Sequence, residues 1–243
     1  MTLKALIFDV DGTLAETEEF HRLAFNKAFN QAGLPWYWSQ RVYGRLLKVT
    51  GGRERILAYA EETCTPGIDA LALHKSKTGF YKHAMAQNTI ELRDGVERLI
   101  KTGLEKGLAL AIATTTSRSN VDGLFAVTLG EEVLSRFQSI RTGEDVSAKK
   151  PDPEVYQLVL EDLGMEPEES CAFEDSANGL KAARALGIPT LVTPGIYTRD
   201  DDFSGADCIT DSLDNLFEPS AELRQQCPET LLALLVSKGR AVA

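Results

Sequence analysis

Leu3-Lys4-Ala5-Leu6-Ile7-Phe8-Asp9-Val10-Asp11-Gly12-Thr13 is the stretch that decides the fold. An apolar run of this length, broken by carboxylates at its carboxyl end, reads as a parallel strand buried on both faces that delivers polar groups to a sheet edge. Asp9 and Asp11 are two residues apart, so on an extended strand end their side chains point roughly the same way. One carboxylate can then attack an electrophile while the other handles a proton.

The chain is 243 residues long, 43% hydrophobic and 26% charged, an ordinary globular composition with room for one large domain or a core and a small insert. The apolar stretches Leu108–Ala113 and Leu231–Val236 are too short to span a bilayer. The N-terminal run reads as a strand rather than a signal peptide, so a cytoplasmic protein is expected. A net charge of −10 argues against nucleic-acid and membrane-surface partners. Residues 15–88 hold ten Lys/Arg against seven Asp/Glu, leaving sixteen against twenty-nine elsewhere, so this segment is locally basic. The four cysteines (Cys64, Cys171, Cys208 and Cys227) lie far apart without a Cys-x-x-Cys pair. Free thiols in a reducing compartment are expected.

After the first strand only helical patterns follow. Phe20, Leu23, Ala24 and Ala28 share one helical face, with Gly33 as C-cap. Further helices are expected over Ser39–Val49, Arg53–Glu61 and Asp69–Ala86, broken at Gly51-Gly52 and Pro66-Gly67. From residue 94 helix and strand alternate. Asp94 with Glu97 predicts a capped helix ended by Gly107, followed by the strand Leu108–Ala113. A helix follows Asp152-Pro153 and closes at Gly164. The strand Cys171–Phe173, a helix over Ser176–Leu186, the strand Thr190–Val192 and a short strand near Asp207–Thr210 complete the pattern. Repeated βα units predict an α/β fold: a Rossmann-like, doubly wound parallel sheet core over 1–14 and 90–243 with an α-helical cap over 15–89.

Ligands bind beyond the carboxyl ends of strands in such sheets. There the sequence places Asp9, Asp11 and Thr13, then Thr114, Thr115 and Thr116, then Lys149 and Lys150, then Glu174 and Asp175. Hard oxygen ligands suit Mg²⁺, while hydroxyls and an ammonium suit a phosphate. Phosphoryl transfer is largely positioning and charge stabilisation, so this inventory nearly suffices.

Asp9-Val10-Asp11-Gly12-Thr13, Thr114, Lys150 and Glu174-Asp175 resemble, in order, the four motifs of the haloacid dehalogenase superfamily. The resemblance spans the whole chain. It implies Asp9 as nucleophile passing through an aspartyl-phosphate, Asp11 as general acid/base, and Thr114 and Lys150 holding the phosphate. Mg²⁺ would be held by Asp9, the Asp11 carbonyl, Asp175 and Glu174. Asp11 argues against a dehalogenase proper, which lacks this second Asp.

Glu16-Thr17-Glu18-Glu19-Phe20-His21 is similar to a segment of the branch holding β-phosphoglucomutases and CbbY-type sugar-phosphate phosphatases, with Glu16 in place of Asp. Thr17 and His21 lie one helical turn apart and can both face the cleft. Gly51-Gly52-Arg53-Glu54 resembles the branch's cap loop. That implies Arg53 at the far end of a sugar phosphate, with Lys77 as a second cation. Thr115 and Asn178 join the expected substrate contacts. The implied activity is phosphatase action on a small sugar (bis)phosphate by a monomer, xylulose 1,5-bisphosphate to xylulose 5-phosphate above all. A phosphomutase, a general sugar-monophosphate phosphatase and a non-catalytic phosphometabolite-binding protein are the alternatives.

Overall fold

The structure, a computed structural model, describes residues 2–87 and 90–235. The expected cap boundary at 89/90 and Val236 of the last apolar stretch involve residues outside that set. Strand β1 (Ala5–Phe8) is followed by helices α1 (Glu18–Gln31), α2 (Gln40–Leu46), α3 (Gly52–Glu62) and α4 (Ala70–Gln87). The chain then alternates through α5 (Val96–Glu105), β2 (Ala109–Ala113), α6 (Arg118–Val127), α7 (Glu131–Leu134), β3 (Ser139–Arg141) and α8 (Glu154–Leu163). It ends with β4 (Ser170–Glu174), α9 (Ala177–Ala185), β5 (Thr190–Val192), β6 (Cys208–Ile209), α10 (Ala221–Gln226) and α11 (Glu229–Leu235).

The six strands form one sheet in the order β3-β2-β1-β4-β5-β6, all neighbours parallel. β1 lies in the middle, with Phe8 opposite Ile112 on one side and Phe173 on the other. Alternation of side chains along β1 explains the two-sided burial. Leu6 and Phe8 pack with Val96, Leu99 and Ile100 of α5 and Val121, Leu124 and Phe125 of α6. Ile7 packs on the opposite face with Val155, Tyr156 and Val159 of α8. Each such buried side chain contributes about 1.5–3 kcal/mol, so a polar residue within Ala5–Phe8 would break the sheet at its centre.

The helical insert has its own core. Phe25 and Phe29 of α1 pack against Trp36, Trp38, Tyr43, Ile56 and Leu73. The buried residues of α1 are His21, Arg22, Ala24, Phe25, Ala28 and Phe29. Leu23, expected among them, is 44% exposed. The aromatic rings of Phe25 and Phe29 outcompete it for the interior and set the helix rotation.

Three other expectations are corrected. α5 starts at Val96 without a side-chain cap, because Gly95 at its N-cap adopts a left-handed φ of 85°. The Asp94 carbonyl instead accepts Leu213 N at 3.1 Å, and Glu97 pairs with Lys101 at 2.5 Å. Tethering to the C-terminal loop therefore replaces the capping pair. β3 was not foreseen, since Ser139-Ile140-Arg141 is a short, partly polar edge strand without an apolar run. Cys208 and Cys227 are paired, with Cα atoms 4.6 Å apart, while Cys64 and Cys171 are free. β6 and the C-cap of α10 bring together residues 19 apart in sequence, which spacing alone does not reveal. Among the described residues no helix is long and apolar enough to cross a membrane.

Candidate active site

β1 and β4 are neighbours at the point where the strand order reverses, and both end in acids. Asp9 extends the ladder through its N–H to Phe173 O at 3.0 Å. Asp9, Glu174 and Asp175 are buried and can bring one carboxylate oxygen each to within 4.8 Å of one another. The backbone must crowd this cluster to make room. At Gly12, with φ 81°, a Cβ would collide with the Asp175 carboxylate, and at Gly179 with that of Glu174.

Lys150, in the loop before α8, crosses to the cluster and uses all three of its donors. They go to Asp9 Oδ1 at 2.7 Å, Glu174 Oε1 at 2.6 Å and the Ala113 carbonyl at 2.8 Å. Burial disfavours its ammonium, yet Asp9 and Glu174 together raise its pKa. Burial, with Glu174 adding to it against Lys150, pushes Asp9 up to about 7. Asp175 is raised well above the usual carboxylate range, by burial first and then by Asp9 and Glu174. Ionised together, the three buried acids would outnumber the one cation, Lys150, which reaches only Asp9 and Glu174. Glu174 Oε2 has no hydrogen-bond partner. An orphaned carboxylate oxygen amid crowded acids fits a bound cation, and all-oxygen donors suit Mg²⁺.

Asp11 sits apart from this cluster, on the turn that leads into the helical insert. Its Oδ1 accepts from Thr17 Oγ1 and lies 3.1 Å from His21 Nε2. Lys77 Nζ lies 2.5 Å from His21 Nδ1, and the imidazole stacks on Tyr81 at 3.9 Å between centroids. Burial disfavours the Asp11 carboxylate, but His21, Thr17 and Lys77 outweigh it and hold the carboxyl well below its usual range.

A cavity of about 570 Å³ opens above the acids. Asp9, Asp11, Thr114, Thr115, Lys150 and Asp175 form its floor, while Lys48, Thr50 and Arg55 approach from the insert. Asn178 lies at the seam and donates to Thr50 Oγ1 at 3.0 Å and Lys48 O at 3.3 Å. The structure thus gathers Asp9, Asp11, Thr114, Thr115, Lys150, Asp175 and Asn178 around one cavity. Glu174 lies beneath it, held by Lys150. Thr17, His21 and Lys77 stand behind Asp11. Thr13 is buried with its hydroxyl unpartnered.

Arg53 is not brought to this cavity. It is exposed and lines a neighbouring cleft with Lys48, Glu54 and Lys149. Arg55 faces inward instead, since two helical residues subtend about 200°. Its guanidinium is fixed by Leu46 O at 3.1 Å and by Tyr43 Oη at 3.0 Å, and Tyr43 donates to Glu18 at 2.5 Å. The alternation between Arg53 and Arg55 becomes legible only once the start of α3 is known. Lys75 is exposed. Lys149, next to Lys150 in sequence, pairs with Glu54 across the seam at 3.0 Å.

Sequence reasoning also missed Thr198, whose hydroxyl donates to Asp175 Oδ2 at 3.1 Å, and Arg93. The Arg93 guanidinium donates to the carbonyls of Gly12, Thr193 and Pro194 and lies 3.7 Å from Glu16. Its N–H bonds Leu14 O at 2.8 Å, so it ties both chain crossings between core and insert. A lone arginine in a loop gives no sequence signal for such a role.

Comparison with known proteins agrees with this geometry. The model of the haloacid dehalogenase-like hydrolase family matches residues 6–193. Protein CbbY of Rhodobacter capsulatus is 50% identical over 209 residues, 85% of this chain and 92% of that protein. The plasmid-borne CbbY of Cupriavidus necator is 45% identical over 233 residues, 93% and 91% of the two chains. The crystal structure of CbbY from Rhodobacter sphaeroides in complex with xylulose-(1,5)bisphosphate is similar with a TM-score of 0.84 at 41% identity, covering 88% of this chain and 96% of that one.

Proposed function

The chain belongs to the haloacid dehalogenase-like hydrolases and is a phosphatase of that type, and from that premise we propose that it hydrolyses a sugar bisphosphate with Mg²⁺ as cofactor, xylulose 1,5-bisphosphate being its substrate. One observation carries the choice of a bisphosphate. The cavity has a cation at each end, Lys150 at the acid cluster and Arg55 on the insert opposite. An arginine fork anchored on one edge leaves its other donors for a second phosphate. The bisphosphate bound in the Rhodobacter sphaeroides relative supports the same reading.

In this mechanism a carboxylate oxygen of Asp9 forms a bond to phosphorus as the bond from phosphorus to the sugar oxygen breaks. Asp11, protonated in the substrate complex, gives its proton to the departing oxygen. Water then attacks phosphorus, Asp11 takes the proton from that water, and Asp9 is released as its carboxylate. The contacts from Thr17 and His21 favour the ionised form of Asp11, the form this second half needs. Lys150 and Thr114 hold the transferring oxygens. Asp9, Asp175, Glu174 and the Asp11 carbonyl would hold Mg²⁺, which when bound neutralises phosphate charge. The helical cap, taken to span residues 15–89, closes over the sugar and excludes bulk water during transfer.

The test is phosphate release from a panel of sugar mono- and bisphosphates, with and without chelator, using Asp9→Asn as control. Xylulose 1,5-bisphosphate should be turned over with a kcat/KM about 100-fold above the monophosphates, a difference of roughly 2.7 kcal/mol. Equal turnover of both classes overturns the substrate. Full activity in Asp9→Asn overturns the mechanism.

A further inference from the structure

Tyr156 lies on α8, outside every motif the sequence singles out, yet its hydroxyl ends inside the acid cluster. The side chain is fully buried. Its ring lies under the Lys150 ammonium, 5.1 Å from the centroid. Its hydroxyl donates to Glu174 Oε1 at 2.5 Å. That same oxygen accepts Lys150 Nζ at 2.6 Å, while Oε2 accepts nothing.

The two oxygens of Glu174 are therefore unequal. A free carboxylate rotates about its last bond, and one ammonium contact alone does not stop Lys150 from bridging both oxygens. Two donors converging on Oε1 from different directions fix the plane of the group. Gly179 closes against the carboxylate from another side, with no room there for even a methyl group. Packing alone does not call for a hydroxyl here. Val155, Val159 and Leu160 fill the same core cluster with plain hydrocarbon, and a phenylalanine ring would occupy the same volume.

We propose that Tyr156 is a positioning residue for the metal site, holding one oxygen of Glu174 so that the other stays available to support Mg²⁺ beside Asp9 and Asp175. This role rests on reading the acid cluster as a Mg²⁺ site. Outer partners of metal-site carboxylates commonly govern about 10- to 100-fold in metal affinity. Tyr156 differs from Thr198, which donates directly to Asp175 Oδ2, in acting through a residue that Lys150 also engages.

The experiment compares wild type, Tyr156→Phe and Val159→Ala by calorimetric titration with Mg²⁺ and by the rise in melting temperature that Mg²⁺ produces, alongside steady-state kinetics. Val159 is buried on the same helix and controls for a loosened α8. Tyr156→Phe should weaken Mg²⁺ binding about tenfold and shrink the Mg²⁺-induced thermal shift, with substrate KM at saturating Mg²⁺ within twofold of wild type. Val159→Ala should lower the melting temperature and leave Mg²⁺ affinity unchanged. Tyr156→Phe that binds Mg²⁺ as tightly as wild type, or Val159→Ala that weakens binding equally, overturns the role of Tyr156 alone. A wild-type protein that binds no Mg²⁺ overturns the metal site and this role together.

Discussion

The ammonium of Lys77 lies 2.5 Å from Nδ1 of His21. An ammonium only donates, so Nδ1 must accept and the imidazole proton sits on Nε2, where it can serve Asp11 at 3.1 Å. A cation on α4 thereby sets the tautomer of a histidine on α1, and that histidine orients the Asp11 carboxylate of the core.

Lys77→Met should consequently lower kcat about 10- to 100-fold, part of the roughly 10²–10⁴-fold that a general acid or base contributes, with little change in KM. A variant that changes KM alone would instead make Lys77 a substrate ligand. Burial is the first cause that pushes Lys77 down to about 8 from 10.5. Between those values the unfolded chain binds the proton and the folded protein does not. Stability should therefore rise with pH across that window, and the rise should be smaller in Lys77→Met. Urea unfolding of both proteins from pH 7.5 to 10.5 measures the difference. Activity should fall as pH increases through about 8, when Lys77 becomes a neutral amine that can accept as well as donate and no longer fixes the His21 tautomer.

Arg55→Ala and Arg53→Ala should separate sharply despite their proximity in sequence. Arg55 is buried and lines the cavity, whereas Arg53 is exposed outside it. With a bisphosphate substrate, loss of Arg55 should reduce kcat/KM by about 10²-fold or more, the scale of a charged hydrogen bond of roughly 1.5–3 kcal/mol with added desolvation. Arg53→Ala should stay within about threefold, near the limit of a screened surface charge. The reverse order in steady-state assays would restore Arg53 as the distal ligand.

Glu54 and Lys149 connect the cap to the core at 3.0 Å, with both side chains partly exposed. Such a pair contributes about 0.2–1 kcal/mol. Glu54→Gln should therefore favour the open cap slightly, raising KM about two- to fivefold while sparing kcat. The effect should fade in high salt, because an exposed pair is screened. Kinetics at low and at molar salt make the check.

Gly179→Ala tests how tightly the acid cluster is packed. The added Cβ meets the Glu174 carboxylate, which Lys150 and Tyr156 prevent from moving away. Overpacking of this kind costs about 1–3 kcal/mol of stability. The variant should fold with a lowered melting temperature and lose most of its Mg²⁺-dependent activity. Unchanged Mg²⁺ affinity by calorimetry would mean that Glu174 is dispensable there.

Much of this molecule is determined by local sequence. Buried apolar runs ending in acids fix the parallel strands, and glycines and prolines bound the helices, because these preferences act within a few residues. Asp9, Asp11, Thr114 and Glu174-Asp175 are legible for the same reason: each follows a strand, and parallel strands deliver their carboxyl ends to one edge, while Lys150 is legible from its place just before the helix that Asp152-Pro153 opens. Tertiary structure alone decided the rest. Which of Arg53 and Arg55 enters the cavity depends on the rotation of α3. Arg93 and Tyr156 gain their roles only when distant segments meet, as does the Cys208–Cys227 pair. Asp94 loses its capping role to the Leu213 contact. Side-chain direction on a helix and contacts between remote segments are settled by packing the whole chain, and no local pattern encodes them.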